Sequence, residues 1–176
     1  TNSDTLVVPG TATISASGRD VTLNTATNNF GTVAITGADV SIRDTNAIVL
    51  GTSTISGTYL VTAGGAVTQS GTLQVTSDTT TISASGRDVT LNTTTNDFAT
   101  IAITGAGVSI KDTNAIILGA STISGAYAVT AGGNITDSDT VTVGGNFAAT
   151  TNANSGVIDL GTLAVDGTIA LNTHSG

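Results

Sequence analysis

A stretch of 58 residues occurs twice, almost unchanged, in this 176-residue chain. Residues 14–71 align with 82–139 at a constant offset of 68 with no gap, and 44 of the 58 pairs are identical. ISASGRDVTLNT at 14–25 returns intact at 82–93, DTNAI at 44 returns at 112, STISG at 53 returns at 121 and VTAGG at 61 returns at 129. A third copy begins near Thr140 and diverges as NFAATTNANSGVIDLGTLAVDG. Repetition at this period constrains the fold strongly, because a unit that cannot bury its own apolar face must stack on its neighbours.

What stacks is set by the residue types. The chain has 37 threonines and 22 glycines, and no cysteine, methionine, tryptophan or glutamate. Branched Thr, Val and Ile fit a pleated surface, whereas Gly, Asn, Asp and Ser favour turns. Apolar residues alternate in short bursts, as in Val21/Leu23, Val33/Ile35, Val40/Ile42 and Ile48/Leu50. Such bursts bounded by turn residues read as short strands. The bursts recur every six to ten residues, too closely for long hairpin arms, and Asp166-Gly167 is the only tight-hairpin pair. Phrase ends at Gly31, Gly51, Gly71, Gly119 and Asp139 suggest a finer period near 20.

These features predict an all-β parallel solenoid of about 20 residues per coil, with three coils per repeat divided as 28, 20 and 20 residues. The whole of 1–176 reads as one segment: repeat 1 at about 4–71, repeat 2 at about 72–139 and a partial third repeat at about 140–176. The exchanges Val33→Ile101, Val49→Ile117 and Val67→Ile135 between copies predict core positions. Asn114 and Asn134, 20 apart, suggest a stacked ladder.

The repeated phrases N-F-x-T-[VI]-A-I-T and D-T-N-A-I-x-L-G-x-S-T-I-S-G, within 14–143, resemble the shaft repeats of filamentous-haemagglutinin-like bacterial exoproteins, the two-partner-secretion adhesins. The resemblance implies a right-handed β-helix, export through an outer-membrane partner transporter, and a place in adhesion or biofilm at the cell surface. The N-P-N-G motif of that family's secretion domain is absent from this sequence.

Residues suited to chemistry are few. The only cations are Arg19, Arg43, Arg87 and Lys111 against twelve aspartates, which disfavours nucleic acid as a partner. The single histidine, His174, lies three positions from the end, a poor place for a triad histidine. Paired carboxylates would suit polysaccharide cleavage, but Asp20/Asp88 and Asp44/Asp112 recur with the repeat and read as turn residues. Asn96-Asp97 and Asp137-Ser138-Asp139 offer oxygen ligands without a calcium-loop motif. The Thr-x-Thr pairs at 25, 52, 93 and 140 are spaced 27, 41 and 47 apart, unlike the one-per-coil array of an ice-binding face. Tyr59/Tyr127 and Phe30/Phe98 read as core residues, or as partner contacts if exposed.

The sequence therefore assigns no catalytic, cofactor-binding or metal-ligating residue. It predicts a structural shaft whose partners are a second copy end to end or flanking repeats of the same chain, with a host-surface or matrix glycan or protein as a further partner. The alternatives are a polysaccharide-binding or polysaccharide-cleaving β-helix, for which the divergent 144–161 with Phe147 and Asp159 is the place to look, and an ice-binding solenoid.

Overall fold

The computed structural model describes residues 1–174. It contains 21 strands and, among the described residues, no helix. Every pairing is parallel, each strand lying on the one a single coil earlier. The chain thus winds as a three-faced parallel solenoid. Eight successive stackings link Val7–Ser15 at one end to Ile169–Thr173 at the other. At ~4.8 Å per coil the stack is roughly 40 Å long.

Alternation decides which residues enter. In Val21–Leu23, Ile48–Leu50 and Val89–Leu91 the first and third side chains are buried and the middle one faces outward. Stacking then aligns the inward residues into columns. One runs Ile48, Val67, Val89, Val108, Tyr127, Phe147 and Ile169. Another runs Val21, Val40, Tyr59, Thr80, Ile101 and Leu118. Between the end rungs these columns are almost fully buried. Tyr127 and Phe147 meet edge to face, with ring centroids 5.6 Å apart. Two of the three Val/Ile exchanges fall in this core, but Val49 and Ile117 point outward, and Ile117 is 38 % exposed. Each is the middle residue of a three-residue strand, so the pleat turns it outward even though it is apolar.

The coils are not those the phrase ends suggest. Stacked partners are separated by as few as 17 residues, between Thr32 and Val49, and as many as 23, between Ile135 and Ile158. The expected division into three coils with one insertion is replaced by three coils plus one further face. Val21 and Val89 occupy the same place in their repeats, yet they stand in the two different columns above. Each repeat therefore arrives on the next face of the three, rotated by about a third of a turn and displaced by roughly 16 Å along the axis. An array returns to its starting face only after three repeats.

The corners explain several small residues. A Cβ on Gly65 would lie 2.4 Å from the Ala47 backbone nitrogen, and one on Gly133 2.7 Å from that of Ala115. The rung below occupies that space, so only glycine fits. A projecting turn recurs in all three copies, closed by Arg19 N–H to Ala16 O, Arg87 N–H to Ala84 O and Gly156 N–H to Ala153 O. Its third residue needs positive φ, supplied by Gly18 at 67° and Gly86 at 70°, but by Ser155 at 61° in the third copy. Ser155→Gly is therefore expected to stabilise the chain by about 1 kcal/mol and Gly86→Ala to destabilise it by about as much. Thermal unfolding midpoints measure both, and a lowered midpoint for Ser155→Gly would contradict the turn assignment.

Candidate functional site

The polar side chains inside the rod sit at its corners, where the main chain turns and leaves unpaired N–H and C=O groups. Asp44 is 2 % exposed; its carboxylate accepts the Phe30 N–H at 2.6 Å and the Asn46 N–H at 2.8 Å. Asp112, 5 % exposed, repeats the arrangement with the Phe98 N–H at 2.8 Å and the Asn114 N–H at 2.9 Å. Each carboxylate ties its own corner to the rung below. Burial pushes the Asp112 carboxyl up to about 6, against the lowering effect of the two backbone N–H groups, and the nearby Asp97 charge adds to the rise.

Asn28 and Asn96 are fully buried staples of the same kind. Asn96 Oδ1 accepts the Leu73 N–H at 3.0 Å, and its amide donates to Leu91 O at 3.2 Å. Gln69 reaches the same amide, accepting from Asn96 Nδ2 at 2.9 Å and donating to Asn96 Oδ1 at 2.8 Å. Gln69 is replaced by Asp137 in the second copy. There Asp137 accepts the N–H groups of Gly161 and Thr162 and the Thr162 hydroxyl. These hydrogen bonds outweigh slight desolvation and hold its carboxyl below the usual range. Ser53 and Ser121 act between adjacent short strands: each hydroxyl accepts an N–H, from Ile35 and Ile103, and donates to a glycine carbonyl two residues back.

Three buried hydroxyls break this pattern. Tyr59 Oη, Tyr127 Oη and Thr80 Oγ1 are buried with no hydrogen-bond partner, and burial raises both tyrosine phenols well above their ordinary value. A buried unpaired hydroxyl costs about 1–3 kcal/mol. Tyr127→Phe is therefore expected to leave stability unchanged or raise it by about 1 kcal/mol, as read from the urea midpoint; a loss above ~1 kcal/mol would reveal a partner for the phenol.

One surface recess, of about 260 Å³, is lined by Thr94, Lys111, Asp112, Thr113, Thr130, Gly132 and Asn152. It offers hydroxyls, an amide, one ammonium and one carboxyl, without the second carboxylate of a glycosidase pair and without an aromatic surface.

The other sequence candidates are dispersed. Phe147 lies in the core while Asp159 is exposed, so the divergent stretch does not bring them together in a groove. Tyr59, Phe30 and Phe98 are buried and present nothing to a partner. Asp20 and Asp88 cap the next coil through the N–H groups of Asp39 and Gly107. Asp97 accepts the Asn114 side-chain amide, and Asn114 stacks there rather than on Asn134, which accepts the Val157 N–H instead. Thr-x-Thr pairs do not align on one face: Thr54 lies under Gln74 and Thr142 under Ala164. His174 is exposed on the outermost rung, its N–H bonded to Thr151 O. Among the described residues no group of three or more His, Cys, Asp or Glu is placed to hold a metal ion. The sequence offered Asn96 only as an oxygen ligand, and Asn28, Ser53 and Ser121 not at all, whereas all four staple the main chain. Their signal was identity between the two copies at inward strand or corner positions.

Fold and corner chemistry together define a parallel β-solenoid built from a long tandem repeat. The chain belongs to the family described as repeats of unknown function (DUF5649), whose model matches residues 1–36, 37–104 and 105–172. The two complete matches share the 68-residue period and a phase beginning near Gly37 and Gly105. Comparisons with curated proteins and with solved structures give no match.

Proposed function

We propose that this chain is a shaft segment of a secreted or cell-surface bacterial filament or adhesin, which gives reach rather than performing chemistry. The observation that carries this reading is the unbroken column of stacked side chains from Ile48 to Ile169, with the buried corner carboxylates Asp44 and Asp112 serving the main chain. A surface on which identical motifs rotate from face to face suits spacing better than a single repeated binding plane. Export by an outer-membrane transporter and a location outside the cell are part of the reading and rest on the resemblance of the repeat phrases to exoprotein shafts.

Self-association extends the same reading. The end rungs expose Val7 at 62 %, and Ile169 and Leu171 at 53 % each, together with unpaired strand edges. Such edges template further pairing, by further coils of a longer chain or by a second copy stacked end to end. Electron microscopy of concatemers carrying increasing numbers of repeats tests the shaft. Length is expected to grow by roughly 16 Å per repeat, and compact particles of constant length would overturn it. Sedimentation of the 176-residue chain and of its Ile169→Lys variant tests the stacking: concentration-dependent growth lost in the variant supports it, and monomers for both refute it.

A further inference from the structure

The two complete copies differ at one corner in a way that changes its charge. In repeat 1 the Asn46 side chain donates to Asn29 Oδ1 at 3.1 Å, and the carboxylate next to it is Asp44. In repeat 2 the Asn114 side chain donates to Asp97 Oδ1 at 3.0 Å, and the carboxylate next to it is Asp112. Asn29 has become Asp97, so the second corner holds two carboxylates on adjacent rungs, one of them buried. We infer that the Asp97–Asp112 corner is a pH-responsive joint, loosened when both carboxyls are ionised and tightened by mild acidification.

The groups around Asp112 support this. Lys111 is the one cation at the recess, but it precedes Asp112 on the same strand, where alternation points the two side chains to opposite faces. Thr113, Thr130 and Asn152 carry no charge. His174 lies on the outermost rung, beside Thr173, whose column descends through Thr151 and Ala131 to Asp112 three coils below. Asp97 is the acidic group set against it, and its repulsion adds to the cost of burying a charged Asp112. The sign follows. With the folded carboxyl near 6 and the free one near 3.8, the native chain holds a proton that the unfolded chain has lost between those values. Stability from this corner is thus greatest near pH 4, falls as pH rises towards 6, and stays low above it. A shift of that size with no solvent screening would change the opening equilibrium by about a hundredfold, and screening reduces the expectation to about tenfold.

The test is native-state hydrogen exchange by NMR between pH 4 and 7.5, with intrinsic rates divided out. The amides of Phe98 and Asn114, which donate to Asp112, are expected to lose about tenfold in protection as pH rises through 6. Asp97→Asn, which restores the repeat 1 residue, is expected to reduce that loss, and Asn29→Asp to introduce a pH-dependent loss at Phe30 and Asn46. Protection of Phe98 and Asn114 that is flat with pH, or unchanged pH dependence in both variants, would overturn the joint.

Discussion

Asn96→Leu is expected to cost about 3–5 kcal/mol, although it replaces a polar residue in an apolar core with an apolar one. The leucine leaves the Leu73 N–H and the Leu91 and Lys111 carbonyls without their side-chain partner, and removes two of the four hydrogen bonds of the Gln69 amide, which keeps Gly71 O and the Thr93 N–H. Each buried group left unpaired costs about 1–3 kcal/mol, partly recovered where water reaches the corner. Against a total stability of the usual 5–15 kcal/mol, this removes a large share of the margin. Chemical denaturation checks it. A cost below ~1 kcal/mol would mean that the corner closes without the amide and that Asn96 is incidental. Asn96→Asp separates the effects, because it keeps an acceptor for Leu73 while losing the donor to Leu91.

Phe147→Ala is expected to cost about 3–5 kcal/mol. The ring is 1 % exposed and stacks on Tyr127 below and Ile169 above in the inward column. Its loss removes the edge-to-face contact and opens a cavity one rung from the open end. In a solenoid each coil touches only its neighbours, so the damage should stay local. Hydrogen exchange is expected to show lost protection over Phe147–Thr173 while Val21–Leu73 is unaffected. Uniform loss along the whole chain would indicate a globally cooperative globule instead.

The strands, their parallel stacking and the inward columns were legible because period-2 alternation and repetition are both written in residue types. Val21, Val40 and Ile48 point inward for the same reason that they alternate with Thr, Ser and Val. The phase of the winding was not legible. Gly31, Gly51 and Gly71 mark turns 20 apart, but corners differ in length, from the tight one before Val49 to the wide one holding Asn96. Only pairing partners reveal that 68 residues overshoot three coils by one face. The outward Ile117 was misread because an apolar exchange carries no information about which side of a pleat it occupies. Asp44 and Asp112 were readable as turn residues. Their burial and grip on the rung below were not, since that depends on a backbone N–H 14 residues away.

Each repeat advances the rod by three coils and one face. Thr22 shares a column with Ser41, Leu60 and Thr81, whereas its repeat equivalent Thr90 stands on another face. Dipolar electron paramagnetic resonance between spin labels at positions 22 and 81, and separately at 22 and 90, measures this directly. The 22/81 pair, separated by three rungs or about 14 Å of backbone rise, is expected to give the shorter distance. A shorter distance for 22/90 would mean that repeats stack face on face, and would contradict the rotation on which the reading of the rod's surface depends.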